Sequence, residues 1–531
     1  MEIRTVFTVI KYLFSFFLII VCYIVRKDPV IFGISILELL AVVILSNEML
    51  KKSILYLVVH DILILLLNTQ TAVMLFSGSW ISLLLLSNLD MAYDLAGLSA
   101  LYIGSAVLII VISFLPICII ETTVRMPGYR GLSALLAIEL IVTMILGSGY
   151  SPMAGFVQLI QEANSYSEIK AGITATDNAY ARFYRKDIWD ARTKDATFGD
   201  QPNVILIFAE GLSRHILSDP RNIMPNIAEF EKKSIHFENY FNHTFATYRG
   251  LIGQLYSGFQ LDNYDSNALI SMQSILRDQD YHTCIINTEP YNRSFTQYLQ
   301  NMDFQEFISD TTKTYNGKVN TLSDTEAFEL LYETVCRLEA DDSPYFTVMY
   351  TMGTHMTFDG ETSFGDGSDM ELNKFRNLDV QFSSFFEKFQ NSSLRENTIL
   401  IFTTDHATYV DEPYLSSFSA YCTRQHNSLD EIPLCIYYQG VTPETINAEG
   451  RNTLDLAPTI CDLLDISVPN YFLGISLFYP YNKENGVFYD TVYFSGATTT
   501  STKDGRIADL SAEDKLFFFE TLKQYFSISR Q

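Results

Sequence analysis

The chain has 531 residues, too many for one ordinary domain and enough for about two or three. It carries 36 Lys and Arg against 61 Asp and Glu, a net charge of −25, which excludes an ordinary nucleic-acid binder because such affinity comes from cationic contacts to phosphate. An aromatic content of 14% with only 26 Gly and 15 Pro excludes disordered and collagenous chains, and 7 Cys without a CxxC pair exclude a disulfide scaffold or zinc finger.

Apolar runs crowd the first 150 residues. They cover about Thr5 to Val25, Val30 to Leu45, Ile54 to Phe76, Leu98 to Ile120 and Leu132 to Leu146. Each approaches the ~20 residues that cross a bilayer core, and the two shorter ones call for tilt or local thinning. A signal peptide accounts for one such run, whereas five in succession predict a multi-pass membrane domain over residues 1–150. Arg4, Lys51, Lys52, Arg125 and Arg130 fall on the cytoplasmic side if the N-terminus is inside, against Arg26 and Lys27 outside. An odd number of spans then puts everything after about Tyr150 outside the cell. His60 and Asp61 fall within the third run. They are expected to face the bundle and satisfy each other or a backbone group, the alternative being contact with a lipid headgroup or substrate.

Residues 151–200 are polar without strong periodicity and read as a linker with some helix. From Gln201 onward, apolar runs of strand length recur at Asn203–Phe208, Cys284–Ile286, Tyr345–Tyr350, Thr398–Phe402 and Pro433–Tyr438. Helical patterns lie between them, such as the Phe-rich stretch Asn373–Gln390. This alternation predicts an α/β domain with a mostly parallel sheet over residues 201–531, closed by a strand and helix tail from about Gly486. The helix of the tail starts at a capping signal, Ser511 with Asp514. The five cysteines of this part, Cys284, Cys336, Cys422, Cys435 and Cys461, read as buried thiols.

Chemistry in such sheets sits at the carboxyl ends of the strands. Those ends carry Ala209-Glu210-Gly211, Gly353-Thr354-His355 and Thr403-Thr404-Asp405-His406. Glu210, Asp405 and His406 on one edge make a metal constellation of mixed oxygen and nitrogen donors. Thr244-Phe245-Ala246-Thr247-Tyr248-Arg249-Gly250 lies between the first two strands, and a hydroxyl near the metal would be a nucleophile whose pKa a dication lowers. Each residue has a plainer role open to it. Glu210 can favour a helix start near Leu212, and Asp405-His406 can be a self-satisfied turn.

These segments resemble the alkaline-phosphatase/sulfatase superfamily, and within it the membrane-anchored phosphotransferase branch of lipoteichoic acid synthases, phosphoglycerol transferases and phosphoethanolamine transferases. Pro202 to Ser213 resembles the opening strand of that family, and Asn397-Thr398 to Ala407 its strand ending in Asp-His-Gly, with Ala407 for the glycine. Thr354-His355 followed by Phe358 resembles its substrate-histidine motif. Tyr291-Asn292-Arg293 resembles the Trp-Asn-Arg of the synthases. Leu454 to Leu464 and Gly474 to Leu477 resemble its late segment. The resemblance implies Glu210, Asp405, His406 and Thr247 as metal ligands, Thr247 as the nucleophile with Thr244 as runner-up, and His355 and Arg293 as substrate contacts. It implies a divalent metal, Mn²⁺ ahead of Zn²⁺ or Mg²⁺, and transfer of phosphoglycerol from a membrane phospholipid, phosphatidylglycerol, to a surface glycan or teichoic-acid-type acceptor. A phosphoethanolamine donor, a phosphodiesterase or sulfatase-like hydrolase, and a non-catalytic membrane binder are the alternatives. The Cys-x-Pro-x-Arg signature of formylglycine sulfatases is absent around Thr247, and so is the histidine that precedes Trp-Asn-Arg in the synthases.

Overall fold

The computed structural model describes residues 3–51, 53–87, 99–119, 128–146, 148–173, 177–188, 192, 201–262, 265, 267–309, 321–341, 343–355, 360–480, 491–493 and 499–530. Phe358 and the start of the tail at 486–490 lie outside them. The chain divides into two compact units. One holds Met1–Ser165 with Val410–Ser416, the other Tyr166–Tyr409 with Ser417–Gln531.

The first unit contains four helices long and apolar enough to cross a membrane, Ile3–Arg26, Pro29–Leu50, Leu57–Ser77 and Gly128–Leu146. At 1.5 Å per residue they are roughly 29 to 36 Å long, the thickness of a hydrocarbon core. The second helix starts where Pro29 takes the first helical position and the Asp28 carboxylate accepts Val30 N at 2.8 Å and Ile31 N at 3.1 Å. The third ends where Gly78 turns left-handed at φ 73°. The fourth apolar run of the sequence gives a shorter helix, Ser99–Ser113. It stops ahead of Pro116, which disfavours helical backbone in the residue before it, and 88–98 and 120–127 lie outside the described residues. Large apolar side chains stay exposed along these helices, Met144 at 79% and Ile145 at 74% among them. A water-exposed bundle would bury such residues.

Inside this unit the polar groups pair with one another. Lys11 Nζ meets Asp61 Oδ1 at 2.5 Å, His60 Nδ1 lies 2.9 Å from the same oxygen, and Tyr12 Oη lies 3.1 Å from His60 Nε2. His60 and Asp61 therefore face the bundle and satisfy each other, and Lys11 of the first helix joins them.

The second unit is built on an eight-stranded sheet. Its strands are β1 Asn203–Ala209, β2 Ile235–Glu238, β3 His282–Ile286, β4 Glu306–Ile308, β5 Tyr345–Tyr350, β6 Thr398–Thr404, β7 Cys435–Tyr437 and β8 Glu444–Asn447, in the order β4-β3-β5-β1-β6-β7-β2-β8. Every pairing except those of β7 is parallel. The central strands β1, β5 and β6 are buried along their whole length, which is why they read as unbroken apolar runs. The helix Met370–Gln390 buries its Phe stripe on this sheet, with Phe382 and Phe402 ring centroids 5.0 Å apart.

The C-terminal helix Ala512–Ser529 starts as its capping signal predicts, with Ser511 Oγ accepting Asp514 N at 3.1 Å. Phe518, Leu522, Tyr525 and Phe526 from it form one buried cluster with Phe183, Phe259 and Leu261. All the described cysteines are free thiols. Cys284, Cys435 and Cys461 are buried as expected, while Cys336 is exposed on the helix Asp324–Glu339 and Cys422 is half-buried. Cys336 and Cys422 thus depart from the expected burial, Cys336 because its position on the helix turns it outward.

Candidate active site

β1 and β6 are neighbours in parallel register, with Ala209 opposite Thr404. Their carboxyl ends therefore project Glu210 and Asp405-His406 side by side. One ligand atom from each of Glu210, Asp405 and His406 lies within 4.8 Å of the others, and all three residues are buried. His406 Nε2 is 3.4 Å from Glu210 Oε1 and 3.4 Å from Asp405 Oδ2.

The turns that bear them are tied by threonines. Thr351 Oγ1 accepts Glu210 N at 3.1 Å, and Thr404 Oγ1 accepts Leu212 N at 3.0 Å while donating to Ala209 O at 2.6 Å. Asp405 Oδ1 accepts Gly211 N at 2.9 Å and His406 N at 2.7 Å. These hydroxyls and Gln254 belong to the site yet escaped the sequence reading. Their signal is a pair of Thr at or just beyond the ends of β5 and β6, 351 with 354 and 404 with 408.

Thr247 opens the helix Thr247–Tyr256. Its side chain does not cap that helix; Oγ1 donates to Glu210 Oε2 at 3.0 Å. The helix runs directly against the backbone of Asp405. A Cβ on Gly250 would lie 2.2 Å from Asp405 O, and Gln254 Nε2 donates to Thr404 O at 2.9 Å. Gly250 is thus what lets Thr247 approach the ligand cluster. The residue before Thr247 is strained, Ala246 standing at φ 86°. Thr247 is half-buried while the three ligands are buried, so the hydroxyl stands on the reachable side. Thr244 is buried and has no hydrogen bond to Glu210, Asp405 or His406 among the described residues, which favours Thr247 over it.

The other two expected site residues differ from each other. His355 is half-buried on the turn after β5, and its charge acts on Glu210. Its turn is held from behind. Asp324 Oδ1 accepts Gly353 N at 3.0 Å, and a Cβ on Gly353 would meet that carboxylate at 2.2 Å. Arg293 is exposed at the first turn of the helix Arg293–Gln300, capped by Asn292, whose side chain accepts Phe295 N at 3.2 Å. No hydrogen bond or ion pair joins Arg293 to Glu210, Thr247, Asp405 or His406 among the described residues.

The charges of the cluster do not balance by themselves. Burial works against both carboxylates. His406, and after it His355, nevertheless hold Glu210 down at about 2. Asp405 is pushed up to about 8 by burial and by the charge of Glu210. His406 is disfavoured by burial, yet Asp405 and Glu210 raise it to about 9. Asp405 Oδ2 is buried with no hydrogen-bond partner among the described residues. His406 Nδ1 lies 2.8 Å from Ala407 O, so Nδ1 carries hydrogen and Nε2 turns toward the two carboxylates. A lone pair between two carboxylates needs a positive centre there, a proton or a cation. The donor set, one imidazole nitrogen, two carboxylates and a hydroxyl, fits a divalent metal.

Residues 202–466 match the family model described as Sulfatase. The matched stretch runs from β1 past β8, so the α/β unit is a sulfatase-like domain, and the chain joins it to helices long and apolar enough to cross a membrane. It is similar to the lipoteichoic acid synthase-like protein YvgJ of Bacillus subtilis, at 22% identity over 299 residues, 50% of this chain and 47% of that protein. The match thus spans about half the length of that relative. Among solved structures, a protein in the alkaline phosphatase superfamily from Vibrio parahaemolyticus superposes at a TM-score of 0.53 and 17% identity, over 68% of this chain and 94% of its own. The lipoteichoic acid synthase LtaP from Listeria monocytogenes gives a TM-score of 0.49 at 17% identity, over 69% of this chain and 97% of its own. The first of these structures shares the fold.

Proposed function

We propose that the chain is a membrane-anchored, divalent-metal-dependent phosphotransferase. It takes phosphoglycerol from phosphatidylglycerol and passes it to a hydroxyl of a cell-surface glycan or teichoic-acid-type acceptor. The observation that carries this reading is the Thr247 hydroxyl hydrogen-bonded to Glu210 beside Asp405 and His406. The N-cap position of that helix is Ala246, so the Thr247 hydroxyl is not taken up in capping and is directed to Glu210 instead.

Glu210, Asp405, His406 and Thr247 would hold the metal, for which Mn²⁺ is the proposed ion. Bound there, it supplies positive charge that lowers the pKa of the threonine hydroxyl and offsets charge on the phosphoryl oxygens. Glu210, itself a weak base, orients the hydroxyl. Thr247 Oγ1 then attacks phosphorus, the bond from phosphorus to the diacylglycerol oxygen breaks, and the threonine proton goes to that oxygen. In the second half, the acceptor oxygen displaces Thr247 Oγ1 from phosphorus and the acceptor proton returns to the threonine. His355 and Arg293 are proposed as contacts to the phosphoryl group, Arg293 by virtue of its exposed and bidentate guanidinium. The apolar helices are proposed to anchor the site beside its lipid donor, with the α/β unit on the outer face of the membrane, where ATP is absent and a phospholipid is the available donor.

The test is headgroup release from phosphatidylglycerol and phosphatidylethanolamine vesicles with Mn²⁺, with and without a glycerol-phosphate acceptor. Acceptor-dependent loss of phosphatidylglycerol supports the reading. Loss of phosphatidylethanolamine alone selects the other donor, and release that is indifferent to acceptor selects a hydrolase.

A further inference from the structure

The two turns that carry the candidate ligands are joined by a reciprocal pair of hydrogen bonds further along the chain. Ser213 N donates to Thr408 Oγ1 at 2.9 Å, and Thr408 N donates to Ser213 Oγ at 3.1 Å. Thr408 Oγ1 also donates to Gly211 O at 2.6 Å, so one hydroxyl reaches back to the residue beside Glu210. Ser213 lies three positions beyond Glu210 and Thr408 two beyond His406. A shift of one turn against the other would break three bonds together.

A buried arginine closes this pair. Arg424 Nη1 donates to Thr408 O at 3.0 Å and to Ser213 Oγ at 3.2 Å. Its Nε forms an ion pair with Asp430 Oδ2 at 3.1 Å, with its side chain 4% exposed. Asp430 is held in turn by His215 Nδ1 at 3.1 Å. Burial disfavours the charge on Asp430, but His215 and Arg424 outweigh it and keep the carboxyl below its ordinary range. A buried guanidinium is retained only where its partners compensate desolvation, and here one of them, Ser213 Oγ, joins the ligand turns and another, Thr408 O, belongs to the residue on the other side of that joint.

We infer that Thr408 and Arg424 are positioning residues that fix the spacing of Glu210 from Asp405 and His406, and so set the affinity of the site for its metal. This rests on the metal-dependent reading above. Groups that orient metal ligands without touching the metal typically change affinity by about 10- to 100-fold when removed.

The test is calorimetric titration of Mn²⁺ into the full chain in detergent, with the melting temperature of each metal-free protein measured alongside. Thr408→Val removes the hydroxyl and keeps the volume, and Thr408→Ser restores the hydroxyl. Arg424→Gln removes the fork and serves if Thr408→Val does not fold. The expected result is an Mn²⁺ Kd raised by about 10- to 100-fold in Thr408→Val and in Arg424→Gln, and returned to about the wild-type value in Thr408→Ser. Wild-type binding with both variants within about twofold of it overturns the inference and leaves the metal reading standing. Weakening that Thr408→Ser does not relieve also overturns it, since the methyl and not the hydroxyl would then matter. A wild-type chain that binds no Mn²⁺ overturns both.

Discussion

Thr247 Oγ1 stands 3.0 Å from Glu210 Oε2 although the two residues are 37 positions apart and belong to different elements. A helix start and a strand end are brought into register so that a half-buried hydroxyl meets a buried carboxylate. Thr247→Ala is expected to reduce headgroup transfer by about 10³-fold or more, as loss of a covalent nucleophile does, with little effect on melting temperature. Thr247→Ser should keep part of the activity. Rates on fluorescent phosphatidylglycerol check both.

Asp405 Oδ2 is a buried acceptor that lacks a hydrogen bond among the described residues, with His406 Nε2 3.4 Å away, in a cluster already rich in negative charge. Asp405→Asn should therefore raise the melting temperature of the metal-free protein, because the new amide can donate to Glu210. It should also abolish the stabilisation given by Mn²⁺. Thermal melts with chelator and with excess Mn²⁺ read the two effects separately.

Ala246, at φ 86°, holds a backbone conformation that costs an alanine about 1 to 3 kcal/mol and a glycine little. Ala246→Gly is expected to stabilise the fold by about 1 kcal/mol after the extra chain entropy of glycine is counted. It should lower kcat, because Thr247 loses its rigid support. Denaturant melts and initial rates are the measurements, and a loss of stability would contradict the account.

The candidate ligands were legible in the sequence because Glu210, Asp405 and His406 follow the two apolar runs that become the longest strands, β1 and β6, and strand ends are where such sheets do chemistry. The central strands were legible for the same reason, being buried on both faces. β2, β4 and β8 were not. β4 and β8 are three or four residues long and lie half-buried or largely exposed, and β2 alternates over only four residues, Ile235-His236-Phe237-Glu238, too few to mark a strand. The threonine and arginine ties were also hidden. They depend on which side chains meet across the sheet edge, and spacing along the chain carries no trace of that. Lys11 as partner to Asp61 escaped likewise, since it sits in a different helix.

Asp324 gives the pH dependence. Burial pushes its carboxyl up to about 7 from an ordinary 3.8, although Gly353 N and Asn377 donate to it. The folded chain therefore binds this proton more tightly than the unfolded chain. Between about pH 4 and pH 7 the folded state holds more protons, so this group's stabilising contribution falls as pH rises and is gone above about 7. Asp324→Asn carries no such loss. Its melting temperature relative to wild type should climb between pH 4.5 and 8, and a flat difference would contradict the assignment.

In the helical unit, Lys11→Met leaves the Asp61 carboxylate buried without its cation, at a cost of about 3 kcal/mol. The double change Lys11→Met with Asp61→Leu should recover most of that. Thermal inactivation of the two proteins in detergent distinguishes a paired charge from a dispensable one.

The most direct measurement is peptide mass spectrometry of the full chain after incubation with Mn²⁺ and phosphatidylglycerol, beside Thr247→Ala. The account predicts the mass of one phosphoglycerol group added to the Thr247 peptide and none in the variant. An adduct on Thr244, or headgroup release that persists in Thr247→Ala, would contradict it.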